Sequence, residues 1–250
     1  VIRGDDHINN TPKQINLYAA LGWSIPKFAH VPMILGSDGS RLSKRHGALN
    51  LLSYKKEGFL PEALLNYLVR LGWSNGDQEI FSIDEMIEFF ELKNINKSPA
   101  SFNHKKLDWM NQSYIKTISL NQLVHHLSWH LNQLDINLDN GPSIKDLVEF
   151  LRERSKSLVD MAKSCVMFYS DFDSFDEDQA NKIFQSNSKE VLENLLNHLT
   201  LVDDWSANNI HLTIESICES RSIAFGKVGQ PFRLALSGDG KSGSIDKSAE

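Results

Sequence analysis

The stretch of sequence that decides the fold spans residues 28–47 and reads FAHVPMILGSDGSRLSKRHG. Its first eight residues are mostly of types that favour a strand, and the four that follow, Gly36-Ser-Asp-Gly39, are a turn signal. We therefore predict one strand over residues 28–35 that enters a tight loop, with residues 41–47 as the far arm of that loop. This arrangement places a basic segment beside the end of a strand.

The far arm of the loop carries the cations Arg41, Lys44 and Arg45 and the hydroxyl of Ser43. Lys44 presents a compact point charge, and Arg45 presents a planar fork that matches phosphate oxygens. Donors of this kind stabilise negative charge that develops in a transition state, so phosphate binding is the functional interpretation. The alternative is a solvated turn with surface lysines, and the spacing of the charges alone does not decide between the two.

Upstream of the loop, residues 1–4 predict a buried strand that runs into a turn. Charged residues follow at once, in the order Arg3-Gly-Asp-Asp-His7, at the position where ligands bind in open α/β sheets. Arg3 is a candidate carboxylate clamp, and Asp6 is a candidate acceptor for a ribose or an ammonium group. The alternative is a surface ion pair, which contributes about 0–1 kcal/mol.

Most of the remaining chain has helical periodicity. The Thr11 hydroxyl as N-cap and Pro12 predict the start of a first helix, and Gly22 predicts its end. Further helices are predicted after Pro61, after the capping box Ser82-Ile-Asp-Glu85, and over apolar runs with a period of about 3.6 residues at residues 119–131, 143–168, 191–199 and 210–217.

Strand signals are missing from the rest of the sequence. Nothing after Leu42 alternates over enough residues to predict a strand, so we expect an all-α second part with a domain boundary near residues 116–117. Residues 237–244 have the composition of a loop, and we expect the short polar tail after them to be mobile or to lack its packing partner.

The composition is that of an ordinary globular protein. The chain has 250 residues, of which 41% are apolar and 23% charged, and no apolar run approaches the ~18 residues that a membrane span needs. Cys165 and Cys218 form no C-x-x-C pair, and the acidic residues 171–178 lack the glycine and glutamate of a calcium-binding loop. We therefore expect a reducing, cytoplasmic location and no metal site.

Two segments are locally basic although the formal net charge is −6. Residues 93–106 hold four lysines and a histidine without a carboxylate, and residues 221–247 hold five cations against two aspartates. Both segments are candidate contacts for a nucleic-acid backbone, with a solvated face as the alternative. Arg152 and Arg154 follow the apolar residues of the predicted long helix, where they either read bases or lie in water.

Several landmarks follow one another in the order and spacing of a known family. They are VIRGDDHINNTPKQ at residues 1–14, HVPMIL at 30–35, RLSKRHG at 41–47, EGFLPEALLNY at 57–67, LDWMN at 107–111 and GKVGQPFR at 226–233. Together they resemble bacterial glutamyl-tRNA synthetases from the second half of the catalytic domain onward. The basic loop resembles the KMSKS signature of that family in its K-[LM]-S-K-R form.

This resemblance implies a class I aminoacyl-tRNA synthetase that activates glutamate with ATP, releases pyrophosphate and transfers the glutamyl group to the terminal ribose of its tRNA. It implies that Lys44 stabilises the departing pyrophosphate. It also implies that Arg41, Ser43 and Arg45 hold the triphosphate of ATP.

The resemblance assigns further residues to the small substrates. The backbone around Met33 and Ile34 would meet the adenine, and Arg3 would lie near the bound glutamate. Asp6 and His7 would lie beside the nucleotide. The implied cofactor is ATP with magnesium, and no metal site is implied within this chain.

The resemblance also divides the chain and implies a mainly α fold. Residues 1–47 would be the end of the α/β catalytic domain, residues 48–116 a region that contacts the tRNA stem, and residues 117–250 an all-α helical anticodon-binding region. The implied partners are tRNA(Glu), glutamate and ATP, with a monomeric protein and no membrane.

Four residues are candidate contacts to the tRNA. Arg154 matches the place of an arginine that members of the family use at the anticodon, which favours it over Arg152. Lys105, Lys106 and Arg233 lie in the basic segments.

Two departures separate this chain from the family pattern. The first lysine of the signature is Arg41, which keeps the positive charge. No H-[IV]-G-H sequence, the HIGH motif of the nucleotide-binding half, occurs in the chain, and the chain opens at Val1 rather than at methionine. We therefore expect a piece of a longer protein that does not aminoacylate alone and binds tRNA weakly at best.

Two alternatives to this interpretation stay open. One is a separate, non-catalytic tRNA-binding module. The other is a relative that charges a different amino acid, chiefly a glutaminyl-tRNA synthetase, which shares the loop chemistry but is expected to read the anticodon with β-barrels. The helical periodicity after residue 120 counts against the second alternative.

Overall fold

A computed structural model describes residues 1–36, 38–43, 50–134, 136–184, 187–240 and 242–250. These residues divide into two units. Unit 1 comprises Val1–Ser119 with Ser155–Val159, and unit 2 comprises Leu120–Arg154 with Asp160–Glu250. The domain boundaries expected at residues 47 and 116 stay predictions.

Unit 1 combines short strands with helices. The strands are β1 (Ile2–Gly4), β2 (Ala29–Val31), β3 (Ile34–Leu35) and β4 (Ala100–Ser101). The helices are α1 (Thr11–Ala20), α2 (Leu51–Glu57), α3 (Pro61–Gly72), α4 (Ile83–Phe89) and α5 (His104–Thr117), with 3₁₀ turns at Asp5–Asn10 and Leu92–Asn94. β1 pairs with β2 and β3 pairs with β4, both in parallel.

The strands differ from the prediction in three ways. The single strand expected over residues 28–35 is the two strands β2 and β3, because Pro32 between them has no N–H to donate to a ladder. The two-residue strand β4 is too short to show alternation, so the sequence did not predict it. The buried strand predicted over residues 1–4 is exposed at its start and half-buried at Arg3 and Gly4: Val1 is 57% and Ile2 52% exposed, since β2 is the one strand partner of β1 among the described residues.

The core of unit 1 lies where α3 packs against α5. One core cluster there joins Tyr54, Phe59, Leu64, Tyr67, Phe102, Leu107 and Met110, and another joins Trp73, Phe81 and Met86. The predicted capping box at the start of α4 is confirmed, because Ser82 Oγ accepts from the Glu85 N–H and Glu85 accepts from the Ser82 N–H. The helix predicted to start at Pro61 and end at Gly72 is also confirmed as α3.

Unit 2 is built from helices in its described residues. They are α6 (Leu120–Leu131), α7 (Ile144–Leu151), α8 (Leu158–Val166, whose first two residues belong to unit 1), α9 (Glu177–Ile183), α10 (Ser188–Leu199), α11 (Ala207–Arg221), α12 (Gly226–Ser237) and α13 (Ile245–Ala249), with a 3₁₀ turn at Leu138–Asn140. One core cluster joins Val191, Leu195, Leu199, Ile210, Ile214, Ile217, Val228, Phe232 and Ile245. The helical periodicity after residue 120 is thus confirmed.

The long helix predicted over residues 143–168 is wrong, because the chain breaks it into α7 and α8. The backbone between the two helices makes hydrogen bonds outside a helical ladder. The Leu158 N–H donates to the Gly58 carbonyl over 3.0 Å, and the Lys156 carbonyl accepts from Asn111 Nδ2 over 3.0 Å. These bonds belong to unit 1 and hold the segment Ser155–Val159 there.

The expectation that the tail lacks a packing partner is also wrong. The last residues form α13, in which Ile245 is 3% exposed and joins the core cluster of unit 2. Trp205 Nε1 donates to the Ala249 carbonyl over 2.8 Å, and Glu250 Oε1 accepts from the Ala207 N–H over 3.1 Å. Across the described ranges, no helix combines the length and the apolar character that crossing a membrane requires.

Candidate active site

The register of β1 and β2 brings three side chains to one face. Arg3 of β1 is the register partner of His30 of β2, and directly opposite residues of neighbouring strands share a face. Phe28 lies two residues before His30 and shares that face, because side chains alternate along an extended chain. The Arg3 guanidinium lies 5.3 Å from the centre of the Phe28 ring, which is a cation–π distance.

Thr11 joins this cluster from the start of α1. Arg3 Nη2 donates to Thr11 Oγ1 over 2.5 Å, and Thr11 Oγ1 lies 2.9 Å from His30 Nε2 and 3.3 Å from the His7 carbonyl oxygen. The prediction that Thr11 is the N-cap is wrong: Asn10 occupies that position, and no side chain caps the helix. The reason is that the Thr11 hydroxyl bonds Arg3 and His30 instead of an N–H of the first turn.

An ion pair joins the base of the basic loop to the turn after β1. Arg41 Nη2 lies 2.9 Å from Asp6 Oδ2, with the two side chains 66% and 28% exposed. Water screens such a pair, so it contributes about 0–1 kcal/mol. Two backbone contacts align the base of the loop with β3. An isolated bridge pairs Arg41 with Leu35, and the Leu42 N–H donates to the Ile34 carbonyl over 2.9 Å. Two predicted nucleotide contacts, Arg41 and Asp6, therefore meet.

The other predicted nucleotide contacts in the described residues lie in the same part of unit 1. Met33 is half-buried between β2 and β3, and Ile34 begins β3 and packs against the core. His7 lies exposed in the 3₁₀ turn after β1. Ser43 is half-buried at the last described position of the loop base.

The two central cations of the loop, Lys44 and Arg45, lie outside the described residues, which end at Ser43 and resume at Asn50. Only the base of the loop is described there. Gly39 has a φ of +74°, a left-handed conformation that favours glycine and gives the tight turn its direction.

The two lysines of α5 have different surroundings. Lys105 is exposed, and Trp109 one turn further along is 48% exposed. Lys106 Nζ lies 2.8 Å from Glu79 Oε2, and Arg70 donates to both oxygens of the same carboxylate. The hydrogen bond from Arg70, and then the bond and charge of Lys106, hold the pKa of Glu79 below its ordinary value of 4.5. Lys106 thus belongs to an ion-pair network, while Lys105 faces solvent.

The two predicted arginine contacts of unit 2 also differ. Arg154 is exposed just beyond α7, and its N–H donates to the Leu151 carbonyl over 3.0 Å. Arg233 is half-buried in α12, with Nη2 3.4 Å from the Gly243 carbonyl oxygen. Arg233 therefore contacts the loop that precedes α13, whereas Arg154 has its side chain in water.

Sequence reasoning missed three members of the cluster around Arg3. Phe28 and His30 are two residues apart in a strand-forming stretch, which is a signal that they share a face. The pairing that places this face beside Arg3 is not visible in the sequence. Thr11 before Pro12 has the pattern of a helix cap, so its hydroxyl was assigned to the helix and not to Arg3.

Comparisons with known proteins agree on one family. Residues 1–109 match the family model of the class I (E and Q) tRNA synthetase catalytic domain, and residues 120–250 match that of an anticodon binding domain. Over 250 residues the chain is 58% identical to the glutamate–tRNA ligase of Ruthia magnifica subsp. Calyptogena magnifica, and 57% identical to that of Vesicomyosocius okutanii subsp. Calyptogena okutanii (strain HA). The chain belongs to the glutamate–tRNA ligase family.

Solved structures of the glutamate–tRNA ligase family share this fold. One is a glutamate–tRNA ligase from Elizabethkingia meningosepticum CCUG26117 in complex with its amino acid, with a TM-score of 0.81 and 29% identity over 99% of this chain and 53% of that one. Another, from Elizabethkingia anophelis, has a TM-score of 0.76 and 30% identity over 99% of this chain and 52% of that one. The predicted combination of a catalytic part and a helical anticodon-binding part is confirmed.

The chain spans about half the length of the curated glutamate–tRNA ligases it matches, 55% of the first and 54% of the second, while all of its own residues are covered. The resemblance inferred from the sequence landmarks is confirmed at this level. It holds for the whole of this chain rather than for the basic loop alone.

Proposed function

We propose that this chain supplies part of the active site and of the tRNA-binding surface of a glutamate–tRNA ligase. Such an enzyme activates glutamate with ATP and transfers it to the 3′ end of tRNA(Glu). The observation that carries the proposal is the ion pair between Asp6 and Arg41 of the basic loop. Asp6 lies three residues after Arg3 in the sequence. A carboxylate clamp, a polar acceptor and a phosphate-binding cation are the groups that a reaction between an amino acid and ATP needs together.

Glutamate recognition falls to Arg3. Its guanidinium carries five N–H donors, and the described contacts use one Nη for Thr11. The remaining donors suit a carboxylate, which guanidinium binds through two parallel hydrogen bonds. The face of the group is covered by the Phe28 ring, so its edge is the part that meets the substrate.

The basic loop acts on the phosphates. In the activation step, a glutamate carboxylate oxygen forms a bond to the α-phosphorus of ATP, and the bond from that phosphorus to the bridging oxygen breaks, so pyrophosphate leaves with the electron pair. Arg41, Ser43 and Arg45 hold the triphosphate, and Lys44 neutralises the charge on the departing pyrophosphate. Mg²⁺ enters with ATP as part of the substrate.

The rest of the nucleotide lies along β3 and the turn after β1. The backbone around Met33 and Ile34 meets the adenine, while Asp6 and His7 lie beside the nucleotide. The shared location of these four residues in unit 1 supports this assignment, since each lies within or next to the strands β1 to β3.

Lys44→Ala in the full-length protein tests the proposal. Loss of one donor aimed at developing negative charge costs about 10²–10³ in rate. ATP–pyrophosphate exchange, measured with tRNA present, should fall by that factor, whereas Lys56→Ala, which removes an exposed cation of α2, should leave it unchanged. Exchange within a few-fold of the unmodified protein for Lys44→Ala would refute the role of the loop.

The tRNA is bound by residues of both units. We assign Arg154 to the anticodon because its side chain is exposed in the part that matches the anticodon-binding family. Lys105, Lys106 and Arg233 are assigned to the tRNA backbone, with Lys105 the most accessible of the three. Arg154→Gln should weaken discrimination between anticodons and spare pyrophosphate exchange. Equal damage to both activities would contradict the assignment.

The chain by itself is expected not to aminoacylate. An isolated preparation of these 250 residues that charges tRNA with glutamate would contradict this expectation. Glutamine as the amino acid is the second candidate, because the matching catalytic family includes enzymes for both amino acids. The helices that make up the described residues of unit 2 favour glutamate, since the glutaminyl enzyme is expected to use β-barrels there.

A further inference from the structure

We infer that Thr11 is a positioning residue for glutamate: its hydroxyl, supported by His30, sets the direction in which Arg3 presents its guanidinium. The inference rests on the proposed role of Arg3 and adds a residue that does not itself touch the substrate. The first observation is that no side chain caps the N-terminus of α1. A threonine at the start of a helix commonly bonds a backbone N–H there, whereas the Thr11 hydroxyl bonds the side chains of Arg3 and His30 and the His7 carbonyl oxygen.

The hydrogen-bond geometry makes Thr11 Oγ1 the acceptor of the bond from Arg3, because a guanidinium has only donors. The single hydroxyl hydrogen then has two acceptors within reach, His30 Nε2 at 2.9 Å and the His7 carbonyl at 3.3 Å. If His30 Nε2 lacks a hydrogen, Thr11 donates to it. If His30 Nε2 carries a hydrogen, it donates to Thr11, which donates to His7. The bond from Arg3 is compatible with both arrangements.

The burial of this cluster fixes the arginine further. Thr11 is 9% exposed, and it is the buried residue of α1. Because the Phe28 ring covers one face of the guanidinium and Thr11 bonds Nη2, rotation of the Arg3 side chain is restricted.

The test compares three substitutions at Thr11 in the full-length protein. Thr11→Val keeps the shape and removes the hydroxyl, Thr11→Ala removes it with a residue that favours helices, and Thr11→Ser keeps it. A hydrogen bond to a charged group accounts for about a tenfold to a hundredfold effect, so KM for glutamate should rise by that factor for valine and alanine. For Thr11→Ser, KM for glutamate should stay within about threefold of the unmodified protein. KM for ATP should stay within about threefold for all three substitutions.

Arg3→Lys separates this inference from the proposed function. If Arg3→Lys leaves KM for glutamate unchanged, the assignment of Arg3 is wrong, and the inference about Thr11 is wrong with it. If Arg3→Lys raises that KM while Thr11→Val and Thr11→Ala do not, the positioning role alone is overturned. In the Arg3→Lys background, Thr11→Val should add less than about threefold, because the two residues act through one contact.

A purely structural role predicts a different pattern. Loss of local structure would raise KM for glutamate and ATP together and lower the melting temperature of the protein. That result for Thr11→Ala, the variant most compatible with the helix, would overturn the inference. Recovery of the glutamate KM by Thr11→Ser at an unchanged melting temperature is the outcome that supports it.

Discussion

Replacing Asn111 with leucine is expected to destabilise unit 1 by about 2–4 kcal/mol. The Asn111 side chain is fully buried, where Oδ1 accepts from the Leu60 N–H over 2.8 Å. Its Nδ2 donates to the Gly58 and Lys156 carbonyls over 3.2 and 3.0 Å. Leucine has the same branched shape and the same number of side-chain heavy atoms, so the loss comes from unpaired backbone groups, each of which costs about 1–3 kcal/mol when buried. The Gly58 carbonyl keeps its bond from the Leu158 N–H, which limits the sum.

Urea unfolding and amide hydrogen exchange measure this effect. The Leu60 amide should exchange faster in the variant, because its acceptor is gone. Gln112→Leu is the matched control, since Gln112 is the next residue of α5, is half-buried, and should change stability by less than about 0.5 kcal/mol. Asn111→Asp should cost more than Asn111→Leu, because a buried carboxylate would face two carbonyl oxygens. A loss below about 1 kcal/mol for Asn111→Leu, or one equal to the control, would refute the reasoning.

Three further predictions concern charge, backbone conformation and a thiol. Because Arg70 lowers the pKa of Glu79, this carboxylate stabilises unit 1 above its ordinary pKa of 4.5, and the contribution is lost as the pH falls through the lower pKa of the folded state. Glu79→Gln should therefore flatten the fall in urea midpoint below that pH, and an unchanged pH profile would contradict this. Ser222 has a φ of +51° at the end of α11, so Ser222→Gly should stabilise unit 2 by about 0.5–1 kcal/mol in urea unfolding. Burial raises the pKa of the Cys165 thiol to about 12, so at pH 8 a thiol reagent should label Cys218 first and Cys165 only on unfolding; equal rates would exclude this.

The helices could be predicted where their signals are local. The capping box at Ser82 and the period of residues 119–131 depend on side chains within a few positions of one another, and both are confirmed. The same reasoning failed for residues 143–168, where the apolar period continues but the helix is interrupted between Leu151 and Leu158. There the Gly58 carbonyl and Asn111 bond backbone groups that a continuous helix would have used, and both partners lie far away in the sequence.

The candidate site shows the same division. The cations and glycines of residues 41–47 left phosphate binding and a solvated turn both open, and the resemblance of the landmarks to a family favoured phosphate binding, which stays a prediction. The contact between Asp6 and Arg41 could not be predicted, because it joins residues 35 positions apart through an exposed ion pair. The helix at the tail could not be predicted either, because a single apolar residue such as Ile245 gives no periodic pattern. Its burial depends on the core cluster of unit 2, against which it packs.

Sequence alone thus determined the family of this protein, its mainly helical class and the residue types available for phosphate and carboxylate binding. The helical class and the residue types follow from composition and periodicity, which each segment carries by itself, whereas the family was inferred from the resemblance of the landmarks. Tertiary structure decided which residues meet: the register of β1 and β2 sets Arg3 beside His30, and the packing of α1 brings Thr11 to both. The physical reason is that such contacts depend on strand pairing and burial between distant segments, whose free energy no local pattern encodes.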